Sequence, residues 1–436
     1  MIKLNKYVLL SFCILLFFSS CSIQKKISKE ANQDILQNED FAPAHIGISL
    51  YDPSTQHYIY NYQGDKYFVP ASNIKIVTCY AAMKYLGDSL VGIRYVDKGN
   101  GTIEVEGNGD PTFLHPSFMN QPAFDFLKKQ NKILLTDENW KDNPLGSGWS
   151  WDDYNSDYMP ERSMLPIYGN LVSFSNKGKF TSVPSFYQKP IEAAVTDAKG
   201  NFSIKREFGT NQFFIRPSSN KFSSVQIPFF TAGNKALLQM LSDTLHFATE
   251  LVHFKIERWP DVVSIHSQPT DSMLKIMMHI SDNFFAEQSL LMISNNRLAY
   301  MNTGKIIDTL LKTDLNDLPQ KPKWVDGSGL SRYNLFSPQD FVTILVKMKN
   351  EFSWHRITNI FETGGSGTIS SYYKNYAGHI YAKTGSLSNH IALSGYLITK
   401  KGKQLIFSVL INAHQAPVAN IRKAVETFLT SIIDKY

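Results

Sequence analysis

The stretch Pro70-Ala71-Ser72-Asn73-Ile74-Lys75-Ile76-Val77-Thr78-Cys79-Tyr80-Ala81-Ala82-Met83-Lys84-Tyr85-Leu86 decides how this chain is read. Its apolar periodicity after a proline predicts a helix from about Ser72 to Leu86. A serine and a lysine three positions apart share one helical face, so the Ser72 hydroxyl and the Lys75 amine are neighbours. At a helix start the dipole and the free backbone N–H groups favour negative charge. A lysine whose pKa is lowered by burial or by a second cation can take the proton from such a serine and make it a nucleophile. The bare S-x-x-K pattern recurs at Ser22, Ser218, Ser272 and Ser371. Only at Ser72 do Pro70-Ala71 precede it and an apolar helix follow.

Upstream, Ile46–Tyr51 and Tyr58–Tyr62 alternate as two short strands around the turn residues Asp52-Pro53-Ser54. Downstream, residues 94–264 change character: rich in Gly, Pro, Asn and aromatics, they break into short strand-like pieces without a long amphipathic helix. Helical periodicity returns at Ser272–Leu298 and again after Ser337-Pro338, where Asp340 completes a capping box. The chain then reads as strands at His379–Lys383, Ile391–Thr399 and Gln404–Asn412, closed by a helix from about Pro417. This order predicts a catalytic domain split in sequence, residues 45–93 and 265–436, around an inserted β-rich module at 94–264.

Bulk properties narrow the classes. At 436 residues the chain exceeds one ordinary core, and 43% hydrophobic with 19% charged residues is a globular composition. The net charge of +6 comes without any Lys/Arg block, so nucleic acid is not an expected partner. Residues 1–21 stand apart: Lys3 and Lys6, an apolar run from Tyr7 to Phe18, then Ser19-Ser20-Cys21. This is an export signal, its apolar run too short to span a bilayer comfortably. The cysteine resembles that of a bacterial lipoprotein signal, in which the thiol is lipidated, although Phe18 stands where leucine is usual. An ordinary cleaved signal with an incidental Cys21 is the alternative. Residues 22–44, polar and of mixed charge, read as a tether. Cys79 would then be the sole remaining thiol, so no internal disulfide is expected.

Two further motifs carry chemistry. Ser281-Asp282-Asn283 offers a hydroxyl that can relay a proton and an amide that can hold both the lysine and a substrate carbonyl. Lys383-Thr384-Gly385-Ser386, at a strand end, offers a cation and hydroxyls to a terminal carboxylate, and Gly385 lets substrate backbone approach closely. Taken singly, each reads equally well as a surface turn or a solvated strand end. In this order and context the three together match the motif set of class A β-lactamases and penicillin-binding proteins. About two hundred residues separate the first two motifs, more than a β-lactamase carries there. Gly107-Asn108-Gly109-Asp110-Pro111-Thr112, Trp149-Ser150-Trp151-Asp152-Asp153, Asp326-Gly327-Ser328-Gly329-Leu330-Ser331 and Leu393-Ser394-Gly395-Tyr396 extend the likeness. Over residues 43–432 the chain resembles the low-molecular-mass class C penicillin-binding proteins, D-Ala-D-Ala carboxypeptidases and endopeptidases with a large insertion.

That resemblance implies an α/β DD-peptidase/β-lactamase-like transpeptidase fold, an antiparallel sheet flanked by helices, with the β-rich module inserted. It implies Ser72 as nucleophile, Lys75 as its base, Ser281 as proton shuttle and Asn283 as orienting group. Lys383, Thr384 and Ser386 would hold the terminal carboxylate, and the N–H groups of Ser72 and Ser386 would form the oxyanion hole. Asp153 falls where the insertion would meet the cationic side chain of the peptide's third residue; it reads equally as a surface carboxylate beside a Trp-rich core. Met278-His279 replaces an Asn-Lys pair usual before the second motif, which alters the field on Lys75. The expected partners are peptidoglycan stem peptides ending in D-Ala-D-Ala, β-lactams as covalent inhibitors, and a membrane through the Cys21 lipid. The location expected is the bacterial cell envelope. The eleven histidines form no H-E-x-x-H pair, and neither a metal nor a cofactor is expected. A β-lactamase-like hydrolase and a non-catalytic peptidoglycan-binding lipoprotein are the rival readings.

Overall fold

The computed structural model describes residues 24–176, 180–187, 191–192, 203–216, 224–254, 256 and 261–436. The export segment and Cys21 lie outside the described residues. Six antiparallel strands form the main sheet, in the order Glu362–Thr363, Ile380–Leu387, His390–Ile398, Gln404–Asn412, His45–Asp52 and His57–Tyr62. The N-terminal hairpin thus pairs with the last strand, joining the two ends of the chain. Strand alternation makes this sheet two-faced. Leu405, Phe407, Val409 and Ile411 pack against the closing helix Val418–Lys435, while Ile406 and Leu410 meet the helical cluster on the other side.

That cluster holds the helices Ile74–Tyr85, Thr270–His279, Asn283–Leu298 and Pro338–Glu351. The Pro338–Glu351 helix starts on the expected capping box, with Ser337 Oγ accepting from Asp340 N and Asp340 Oδ2 from Ser337 N. The helical run read as Ser272–Leu298 is broken in the middle. Ser281 sits at φ +59°, and the next residue, Asp282, caps a new helix by accepting from Phe285 N at 2.9 Å. Periodicity alone passes over such a break because apolar residues continue across it into a second helix that is buried on all sides from Phe284 to Asn295.

A second core lies under a five-stranded sheet, ordered Thr249–Leu251, Lys132–Thr136, Thr102–Gly107, Ser89–Gly99 and Val263–Pro269. The last two pair antiparallel, so the chain leaves and re-enters the helical cluster through adjacent strands. These strands reach a few residues beyond 94–264 at each end. An eleven-residue helix, Lys235–Leu245, packs there as well, where no long amphipathic helix was read.

The stretch read as a tether is folded from residue 24 onward. Residues 24–36 are helical, and Ile27, Ala31, Ile35 and Phe41 are buried against the closing helix. Glu30 pairs with Lys435 at 2.7 Å. The apolar positions 27, 31 and 35 recur every four residues, a stripe diluted by the polar residues between them. Among the described residues no helix is long and apolar enough to cross a membrane.

Candidate active site

Ser72 lies in a short 3₁₀ turn, Ala71–Asn73, that feeds the Ile74–Tyr85 helix. Ala71 before it has φ +48°, a conformation costly for a residue with a Cβ. Gly329, at φ +83°, packs beneath this turn, and a Cβ there would overlap the Ala71 carbonyl oxygen. From the sheet side, Asn73 Nδ2 donates to the Lys383 carbonyl at 2.8 Å. The serine is therefore clamped between the 326–331 loop and the Ile380–Leu387 strand.

Lys75 follows one helical turn later and is completely buried. Its amine donates to Ser72 Oγ at 3.0 Å, Asn283 Oδ1 at 2.6 Å and the Ser328 carbonyl at 2.8 Å, using all three hydrogens of an ammonium. Burial, with the Lys383 cation second, pushes the Lys75 amine down to about 7, against the pull of Asp282, Asp326 and Glu287. Lys383 is also fully buried, and burial lowers it to about 8, opposed by Glu362. Strand parity explains how Lys383 arrives there. Ala382 belongs to the core under the closing helix, so its neighbour must face the helical cluster.

A cleft of about 690 Å³ opens above these groups. Ser72, Ser281, Asn283 and Ser386 line it, together with Arg332 and Leu330. The insertion supplies the facing wall: Gly148, Ser150, Asp152, Asp153 and Tyr158, around the 3₁₀ turn Trp151–Asn155. Asn283 spends one amide hydrogen on the Tyr158 carbonyl at 2.9 Å, which ties that wall to the site. The second amide hydrogen is left for another acceptor. Trp151, read as part of a Trp-rich core, is mostly exposed. Lys383 and Gly385 are not among the residues lining this cleft, and neither is Thr384. It shares the Ala382 face, and its hydroxyl meets Thr368 Oγ1 at 2.5 Å. Ser386, two residues on, accepts from Arg422 Nη2 on the closing helix at 2.8 Å.

Several groups at the site received no role from the sequence. Asp326 organises its loop by accepting from Gly329 N, Ser331 N, Asn334 Nδ2 and Trp149 Nε1. Glu287 accepts from Ser328 N at 2.8 Å and lies 3.4 Å from Arg162 of the insertion. Burial raises its carboxyl to about 7, with Asp326 adding to the rise. Glu287 stands four residues after Asn283, on the same helical face, and that spacing was the available signal. Glu362 and Thr368 have no signature in the sequence.

The chain is a serine-type hydrolase with the fold of a penicillin-binding protein. The chain belongs to the D-Ala-D-Ala carboxypeptidase 3 (S13) family, which it matches over residues 28–432. It is 23% identical over 415 residues to the D-alanyl-D-alanine carboxypeptidase DacB of Haemophilus influenzae, spanning 85% of this chain and 86% of the relative. It is 24% identical over 435 residues to a D-alanyl-D-alanine carboxypeptidase of an Actinomadura species, spanning 88% and 80%. The crystal structure of penicillin binding protein 4 from Haemophilus influenzae superposes with a TM-score of 0.74 at 18% identity, covering 94% of this chain and 99% of that one. A predatory peptidoglycan endopeptidase from Bdellovibrio bacteriovorus superposes at 0.52 with 16% identity, covering 90% and 92%.

Proposed function

We propose that this serine DD-peptidase cleaves peptidoglycan peptides both as a D-Ala-D-Ala carboxypeptidase and as an endopeptidase, through an acyl-enzyme on Ser72. The observation that carries the assignment of roles is the bonding of Lys75. One buried amine, lowered to about 7 and so partly neutral at pH 7, touches the nucleophile, the second motif and the 326–331 loop at once. Neutral Lys75 accepts the Ser72 proton as Oγ attacks the carbonyl between the two D-alanines. The N–H groups of Ser72 and Ser386 receive the oxyanion, each donor contributing roughly 3 kcal/mol. The proton passes through Ser281 to the departing amine, the C–N bond breaks, and water later releases the acyl group. Lys383, with Ser386 at the cleft and Thr384 beside it, meets the substrate's terminal carboxylate. Asp153 on the facing wall takes the cationic third residue of the stem peptide.

A β-lactam presents a strained amide beside a carboxylate and would acylate Ser72 in the same way. The Haemophilus protein has been crystallised with a β-lactam. Export and lipidation at Cys21 would place the enzyme at the envelope membrane, facing its polymer.

The test uses the full chain in detergent with purified monomeric and cross-linked muropeptides, the products read by mass spectrometry. Loss of one alanine from the monomer and splitting of the dimer are both expected from the wild type and absent from Ser72→Ala. No product from either substrate with folded wild-type protein would overturn the proposal.

A further inference from the structure

Behind the Lys383 strand lies a carboxylate with no part in the chemistry above. Glu362 is wholly buried in the edge strand Glu362–Thr363, directly across the ladder from Ala382. Burying a carboxylate is costly unless it is bonded and paired. Both the backbone N–H and the hydroxyl of Thr368 donate to it. The turn is shaped around this acid: Gly367 has φ +53°, and a Cβ there would overlap Glu362 Oε2 and crowd the His279 carbonyl. Thr368 gives its single hydroxyl hydrogen to Glu362, so its oxygen can only accept from Thr384 Oγ1 at 2.5 Å. The lone pairs of Thr384 then remain for Lys383 Nζ, 3.5 Å away.

We propose that Glu362 is a positioning residue for the peptidase reaction, a buried counter-charge that keeps Lys383 cationic and, through Thr368, holds the Thr384 side chain against it. The inference rests on the DD-peptidase reading. The charged and titratable groups around Lys383 are Lys75 from the nucleophile helix, Glu362 from the edge strand and His279 from the end of the Thr270–His279 helix. Burial lowers His279 first, with Lys275 and Lys383 adding to the shift, so it supplies no cation to compete at neutral pH. Glu362 is the group that opposes the burial of Lys383. Removing its charge leaves Lys383 to lose its proton at lower pH. The carboxylate-binding cation then disappears where the wild type still has it, and Lys75, relieved of that cation, becomes more basic.

The test measures kcat and KM from pH 5.5 to 10 for an N-acylated peptide ending in D-Ala-D-Ala. It uses the full chain in detergent as wild type, Ser72→Ala, Glu362→Gln, Glu362→Asp and Thr368→Val. Glu362→Gln keeps the size and can still bond Thr368 but carries no charge. Its basic limb in kcat/KM is expected to fall by about one pH unit, with KM raised several-fold at pH 8. Glu362→Asp, which keeps the charge, should keep the limb. Thr368→Val should raise KM several-fold without moving the limb. A folded Glu362→Gln enzyme with the wild-type profile would overturn the inference. Should that variant not fold, an unchanged KM in Thr368→Val would do so. An inactive wild type would instead defeat the peptidase reading itself.

Discussion

Lys75 and Lys383 are both buried beneath the cleft, one on a helix and one on a strand, and the Lys383 cation disfavours the charge on Lys75. The tasks proposed for them need opposite protonation states. Lys75 must be neutral to accept a proton, and that fraction grows as pH rises through about 7. Lys383 must be charged to hold a carboxylate, and that fraction shrinks as pH rises through about 8. A bell-shaped kcat/KM profile is therefore expected, with its maximum between these values and with limbs that belong to the coupled pair. Initial rates on a D-Ala-D-Ala peptide across pH will show whether the maximum lies there. Lys75→Ala removes the proposed base while leaving Ser72 in place, and kcat should drop about 10² to 10⁴-fold. The motifs at Ser72, Lys75, Ser281, Asn283 and Lys383 were legible as a set because their residue types and order match the family's pattern. Glu362 was not, and Glu287 offered only its spacing four residues after Asn283. Each is a lone acid whose meaning comes from what is packed against it.

At the scale of elements, the site depends on backbone placed in unusual conformations. Ala71 at φ +48° and Ser281 at φ +59° aim two serines into the cleft, and Gly329 at φ +83° lets the 326–331 loop close beneath the first. Gly329→Ala would meet both a disfavoured φ and the Ala71 carbonyl. Stability should fall by about 1–3 kcal/mol, and activity should fall further because Ser72 is displaced. Comparing the urea midpoint with the β-lactam acylation rate of this variant separates the two effects. The alternating strands and capped helices were readable because burial imposes a period of two or about 3.6 on them. The break at Ser281 was not, since a left-handed residue leaves no mark on hydrophobic periodicity.

Across the whole molecule, the main sheet joins the first and last strands, and the insertion leaves and returns through a neighbouring pair. The wall carrying Asp153 and Tyr158 is thereby held against the clamp around Ser72, through Tyr158 O on Asn283 and Arg162 on Glu287. The N-terminal helix adds a second closure by covering the closing helix with Ile27, Ala31 and Ile35. Ile27→Asp would bury an unpaired carboxylate there, costing about 3 kcal/mol or more. Its thermal midpoint should drop by several degrees, while the pH profile of the remaining folded enzyme stays as in the wild type. Motif order, residue type and strand alternation sufficed for the family, the fold class and the chemistry, since these depend on local pattern and on side chains that nothing else replaces. The two lysine pKa values, the anchoring of Asn283 by the insertion, the folded N-terminal helix and the acid behind Lys383 emerged only in three dimensions. Desolvation and Coulomb interaction depend on distances between residues hundreds of positions apart, and no local pattern records those distances.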